Sequence, residues 1–249
     1  MDQPIARAPR PASAASETRA PVTRGLRPRP AATLIIIDRA RRGFRVLMGR
    51  RNAKLAFMGG KFVFPGGRIE PCDRLMPVAG ALSQRAEDAL AARVVRPSSQ
   101  LGRTLALAAI RETYEETGLL LGTTEHGAPE DVPTGWEGFA LHGVLPDLEA
   151  LHLVARAITP PKRVRRFDTR FFAIDRRMVA AEEPGRITAD AELTELAWVR
   201  LDAARRLDLP YITRAVLDDL EPQIAAEFAP HRVIPFHYER YGRRERVAL

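Results

Sequence analysis

The chain has 249 residues, 45% of them hydrophobic, which suffices for a full core in one domain plus a tail. Its longest early apolar run, Leu34 to Ile37, is far short of the roughly eighteen to twenty residues a membrane span needs, and no signal-peptide apolar region precedes it, so a soluble cytoplasmic protein is expected. The formal charge of +8 favours anionic ligands, but Arg7, Arg10, Arg19, Arg24, Arg27 and Arg29 supply part of that excess near the N-terminus, so nucleic acid is not a required partner.

Residues 1–30 are rich in Ala, Pro and Arg without a hydrophobic period and are expected to be a disordered tail. An acid-poor, Arg-rich organelle transit peptide would share that composition. From Ala31 the run AATLIIIDR and then Phe44 to Met48 read as two strands separated by Arg41-Arg42-Gly43. Lys61 to Glu70 reads as a short buried strand broken by a Pro65-Gly66-Gly67 turn, whose glycines would let backbone amides approach a phosphate. Ala79 to Val95 suits a helix, broken by Arg96-Pro97-Ser98-Ser99. A second helix is predicted from about Gly102 to Thr117, ended by Gly118, with Leu105, Ala108, Ala109 and Ile110 facing the core and its glutamates turned away.

Residues 122–138, rich in Gly, Pro, Thr and acids, are expected to form a variable loop carrying Trp136, whose ring could stack on a base. Leu145, Leu148 and Leu151 are spaced as on a helix. Leu153 to Ile158, Phe167 to Ile174 and Glu192 to Arg200 read as strands, the last filling the core with Trp198; Asp202 to Arg206 and Tyr211 to Phe228 read as helices. Strands and helices mix without strict alternation, which predicts an α/β fold, an α/β/α sandwich around a mixed β-sheet.

The chemistry concentrates in AAIRETYEETGLL, residues 108–120. Glu112, Glu115 and Glu116 occupy positions i, i+3 and i+4 and so share one helix face. Arg111 alone cannot neutralise three carboxylates, and oxygen-only ligands favour a hard divalent cation, Mg2+ or Mn2+. The lone Cys72 can form neither an intrachain disulfide nor a thiolate metal site, no His stands near it in sequence, and the five histidines show no metal-ligand spacing.

A strand, a glycine turn and a helix reading Arg-Glu-x-x-Glu-Glu-x-Gly-Leu resemble the Nudix hydrolases. In that pattern Gly67 takes the first position, Asp73 the acidic one, and Arg111, Glu112, Thr113, Glu115, Glu116, Gly118 and Leu119 the second half. Asp73 replaces the usual Glu, and residues 74–110 separate it from Arg111 where the family pattern has seven, so an insertion at about 74–103 lies inside the motif. Such an insertion costs little closure entropy and is expected to be an embellishment whose loss spares the metal site. The Nudix hydrolase domain would span 31–249.

The resemblance implies hydrolysis of a nucleoside diphosphate linked to a second group. Glu112 and Glu116 are expected to ligate the cation, and Glu115 to ligate a second ion or accept a proton from water. Arg111 would pair with Asp73 as a support, and Gly66 and Gly67 would face phosphate. The entry Phe57-Met58-Gly59-Gly60-Lys61-Phe62-Val63-Phe64-Pro65-Gly66-Gly67, together with the interrupted motif, is similar to the subgroup of peroxisomal coenzyme A diphosphatases and their bacterial relatives. Coenzyme A or an acyl-coenzyme A is then the leading substrate, with Arg50, Arg51, Lys54, Arg165 and Arg166 as candidates for its 3′-phosphate and Phe57 or Phe62 for its adenine. ADP-ribose, NADH or another nucleoside diphosphate derivative is the enzymatic alternative, and a ligand- or RNA-binding module the non-catalytic one. Homodimers are frequent among similar proteins, although no residue marks an interface.

Overall fold

The computed structural model describes residues 26–40 and 43–249; the expected disorder of the first 25 residues and the Arg41-Arg42 turn lie outside them. Strand β1 (Arg29–Ala40) starts two residues before the expected boundary, because Arg29 and Pro30 are already paired with Phe167 and Asp168. β2 (Gly43–Arg51) returns antiparallel to it, β3 (Phe62–Val63) pairs with β2, and β4 (Gly66–Arg68) with β1. A 3-10 turn over Pro71–Arg74 leads to α1 (Gln84–Ala91) and α2 (Leu101–Thr117). There follow β5 (Leu119–Leu121), α3 (Glu137–Leu141), β6 (His152–Ile158), β7 (Phe167–Asp175), β8 (Val179–Glu182), β9 (Leu193–Arg200), α4 (Leu201–Ala204), α5 (Tyr211–Ala225), β10 (Pro235–Arg240) and β11 (Arg243–Ala248).

The main sheet runs β11-β10-β6-β7-β1-β2-β3, with β4 added to β1 and β9 to β2. β1 is parallel to β7 and β10 to β6, while the other pairs are antiparallel, so the sheet is mixed. Period-two alternation puts Ala32, Leu34 and Ile36 of β1 into a core shared with α2, and Ile35 and Ile37 into a second core shared with α5. Both faces are thus covered by helices, which gives the expected α/β/α sandwich. None of the described helices is long and apolar enough to cross a membrane.

Four expectations need correction. The insertion is no embellishment: Met76, Leu82, Ala86, Ala89 and Leu90 join the same core as Leu105 to Ile110. Residues 145–151 are not helical, because Pro146 has no N–H to give a helix and the flanking backbone pairs elsewhere, Leu145 with Thr123 and the Pro146 carbonyl with the Ala79 amide. A short helix, α3, occupies part of the expected loop instead. The two tryptophans exchange roles: Trp136 is fully buried with its ring 4.9 Å from that of Phe139, whereas Trp198 is half-buried beneath the Arg176 guanidinium.

Candidate active site

Helix α2 carries the acidic triplet. Gly118 ends it in the left-handed conformation at φ 80°, its N–H bonded to the Tyr114 carbonyl, where a side chain would also run into the Glu183 carbonyl. The helix is buried over most of its surface, since the sheet covers one side and the insertion another, so Glu115 alone among its glutamates is exposed. Glu115 is the most open of the three at 43% side-chain exposure, Glu112 falls to 17%, and Glu116 is buried. Thr113, at a position the family fills with an aliphatic residue, is buried and satisfies its hydroxyl on the Ala109 carbonyl at 2.7 Å.

Arg111 is buried and fastens three segments. Its Nε donates to Asp73 Oδ1 at 2.7 Å, its Nη2 to Asp73 Oδ2 at 3.3 Å and to the Arg68 carbonyl at 3.0 Å, and its Nη1 to Glu115 at 3.1 Å. Glu112 lies 3.2 Å from the same Nη1. Asp73 is fully buried, and its second oxygen also accepts the Glu70 amide at 2.7 Å, closing a capping box around the 3-10 turn. The box fixes the turn, so the shorter Asp still reaches the guanidinium. Burial works against the charge on Arg111, but the hydrogen bond and charge of Asp73 outweigh it and hold the group protonated.

The glycine turn lies directly under the acids. A Cβ on Gly67 would stand 2.2 Å from the Glu112 carboxyl carbon, so only glycine lets that carboxylate lie against the strand. Gly66 has φ +151° and its amide donates to Glu116 at 3.0 Å, which corrects the expectation that this amide faces phosphate: it is engaged by the helix carboxylate. Burial, with smaller contributions from Glu115 and Glu192, pushes Glu112 up to about 7 against the opposing pull of Arg111. Burial and then Glu192 raise Glu116 well above the usual carboxylate range, only partly offset by the Gly66 hydrogen bond and Arg51.

Among the described residues, no three acidic, His or Cys side chains converge closely enough to hold an ion as they stand, since Glu112 and Glu115 are drawn to Arg111 and Glu116 to Gly66. The set nevertheless fits a hard divalent cation in kind. All its donors are oxygens, and two of its carboxylates are largely desolvated without a full counter-charge.

Of the expected substrate-binding side chains, Arg51 lends charge toward Glu116 and pairs with Glu192 at 2.7 Å. Arg50 pairs with Glu195 at 2.8 Å and lies 4.4 Å over the ring of Phe62, which is itself buried in the second core and so not open to a base. Arg166 donates to the carbonyls of Thr159 at 3.1 Å and Leu26 at 2.8 Å, so its guanidinium secures backbone. Lys54 pairs with Asp190 at 3.0 Å. Two neighbours of the site escaped sequence reasoning. Glu192 reaches it through β2–β9 pairing, and Gly135 through a loop in which a Cβ would lie 3.8 Å from both Arg111 Cδ and Glu115 Oε1. Neither carries a local pattern, because pairing across more than a hundred residues places Glu192 and backbone path alone places Gly135.

Comparison with known proteins places the fold. A NUDIX domain matches residues 27–220. The crystal structure of a NUDIX hydrolase from Alicyclobacillus acidocaldarius is 28% identical, covering 83% of this chain and 96% of its own, with a TM-score of 0.63. The NUDIX domain of Shewanella oneidensis NrtR, solved with ADP ribose, is 10% identical over 80% of this chain and 90% of its own, with a TM-score of 0.44. No curated protein matches. With the domain match spanning more than three quarters of its length and the acidic helix seated on the glycine turn, the chain belongs to the Nudix hydrolase family, enzymes that hydrolyse the pyrophosphate of nucleotide derivatives.

Proposed function

We propose that the chain is a divalent-metal-dependent diphosphatase whose leading substrate is coenzyme A or an acyl-coenzyme A. The observation that carries the metal reading is the burial of Glu112 and Glu116 beside a third carboxylate and Glu192, with Arg111 already committed to Asp73. Such a set is costly to bury unless a cation completes it. Glu112 and Glu116 would hold Mg2+ or Mn2+, which supplies charge neutralisation at the phosphate oxygens and acidification of water. Glu115, the most exposed of the three helix carboxylates, takes the proton from the attacking water. The new bond joins water oxygen to one phosphorus while the bridging oxygen leaves with the other, yielding adenosine 3′,5′-bisphosphate and a 4′-phosphopantetheine compound. Arg111 and Asp73 do no bond-making; they keep the glycine turn against the helix.

The substrate reading is supported by the entry Phe57 to Gly67 and by the interruption of the motif. Arg51 is the candidate favoured for a phosphate contact, since its charge is felt at Glu116, although it too is paired, with Glu192 at 2.7 Å and the Phe57 carbonyl at 3.2 Å. ADP-ribose and NADH would use the same acidic machinery, because specificity in this fold lies in the surrounding loops.

Chromatographic separation of products from coenzyme A, ADP-ribose, NADH and diadenosine polyphosphates, with Mg2+ and with Mn2+, tests both levels. Preference for coenzyme A that is abolished by Glu116→Gln is the expected result. Cleavage of another substrate would discard coenzyme A and keep the metal reading, whereas undiminished turnover in Glu116→Gln would overturn the latter.

A further inference from the structure

Three loops meet at one end of the main sheet. β1 and β7 start side by side, β6 ends opposite the start of β7, and β10, parallel to β6, runs past that end before it turns into β11. The β6–β7 loop and the tip of the β10–β11 hairpin are therefore neighbours. The turn after α1 joins them, because the Ala92 carbonyl accepts Arg156 Nη1 of β6 at 2.8 Å, two residues before that strand ends. Each loop puts one apolar side chain into solvent between exposed cations. Val95 is 89% exposed between Arg93 and Arg96, Val164 55% between Arg163 and Arg165, and Tyr241 90% between Arg240 and Arg243. None of these six arginines has a carboxylate partner among the described residues, while the hairpin's own acids are occupied: Glu239 stands opposite Arg244, and Glu245 accepts from the Tyr238 hydroxyl. The tips are also held in a costly backbone form. Arg93, Arg96, Lys162 and Tyr241 all have left-handed φ, between 51° and 68°. Below the second tip, Thr159 and Phe167 close the loop with an N–H to carbonyl bond at 2.9 Å and an N–H to hydroxyl bond at 3.0 Å.

We propose that this end of the molecule docks on an anionic lipid bilayer, with its arginines on headgroup phosphates and Val95, Val164 and Tyr241 entering the headgroup layer. An arginine without a carboxylate partner keeps its full attraction for phosphate, since no ion pair has to be broken first. The valines decide between the polyanions that such a surface suits. A valine neither stacks on a base nor hydrogen-bonds to one, so it adds nothing to nucleic-acid binding, whereas it loses water on entering the acyl boundary. Tyrosine suits the same depth, its ring in the apolar layer and its hydroxyl in the wet one. Three shallow tips give a peripheral and reversible attachment, which holds the chain beside a membrane surface whatever the acidic helix binds or cleaves.

The test is cosedimentation of the full chain with vesicles of equal parts phosphatidylglycerol and phosphatidylcholine, against vesicles of phosphatidylcholine alone. The unaltered chain is expected to bind the mixed vesicles only. Removing one cation from each loop, Arg96→Gln with Arg163→Gln and Arg240→Gln, is expected to weaken that binding about a hundredfold, at roughly fivefold for each arginine near an anionic surface. Val95→Ser with Val164→Ser leaves the charge as it is and is expected to weaken binding severalfold. The arginines of residues 1–25 would themselves be drawn to an anionic surface, so only losses in these loop variants count in support. Absence of binding, equal binding to both kinds of vesicle, or undiminished binding in either variant overturns the proposal. Binding of a single-stranded RNA oligonucleotide that the arginine variant loses, with vesicle binding indifferent to the valines, would assign the surface to nucleic acid instead. Thermal unfolding checks that each variant is folded, and if one is not, the other decides alone.

Discussion

At the scale of single residues, the Arg111–Asp73 pair is the clearest case of structure outweighing substitution. Both groups are almost fully buried, and between them they satisfy the 3-10 turn, the Arg68 carbonyl and the helix. Arg111→Ala leaves a desolvated carboxylate without its partner and is expected to cost about 3–5 kcal/mol, read from urea unfolding. A loss below about 1 kcal/mol would show the pair to be dispensable. A second buried carboxylate, Asp219 of α5, accepts from His237 of β10 and from Arg246 of β11. Burial pushes its acidity one way, but these hydrogen bonds prevail and hold it below the usual range. The sign follows: a carboxyl lowered on folding contributes stability above its unfolded value of about 3.9, and that contribution disappears as pH falls through the lower folded value. Asp219→Asn should therefore destabilise the protein near pH 6 and flatten the acid limb of its stability profile below about pH 4. An unchanged limb would remove Asp219 from the account.

At the scale of elements, the insertion is the decisive piece. It sends Met76 and Leu90, both essentially without exposure, into the core beneath α2, and Arg103 of α2 donates to the Arg74 carbonyl at its start. Cutting out most of residues 76–102 is therefore expected to abolish cooperative unfolding altogether, a result that circular dichroism during heating would show. Retention of a sharp transition would restore the view of the insertion as an ornament. Loop-closure entropy alone, the basis of the sequence expectation, is silent on what a loop buries. The signature helix was legible because Gly118 and the Arg111-to-Gly118 pattern are local signals. Its burial on most sides was not, since the covering side chains come from the insertion and from Phe139.

At the scale of the whole molecule, the layered architecture could be read from the alternation of β1 and the apolar pattern of the helices. The sheet order could not. The hairpin of β10 and β11, a stretch rich in Arg, Glu and Tyr to which no element was assigned from sequence, extends the sheet by pairing Phe236 with Arg156 of β6. Arg156, itself buried, in turn shares the largely shielded Asp168 with Arg170, so the hairpin covers a buried charge while β11 stays the open edge of the sheet. The acidic triplet of the candidate site was legible for the same reason as its helix. Glu192 and the occupations of Arg50 and Arg166 were not, because long-range strand register decides where each guanidinium is spent.

The capping box around Asp73 and the guanidinium that locks onto it lie on opposite sides of the insertion in the chain, at a separation of 38 residues. Nothing local can bring them together, so the catalytic machinery has no partly assembled form that survives loss of the intervening core. Turnover thus serves as a gauge of global integrity. Its decline with rising urea is expected to superimpose on the loss of tryptophan fluorescence from the buried Trp136, and activity that vanished well before that signal would show that the site melts as an independent unit.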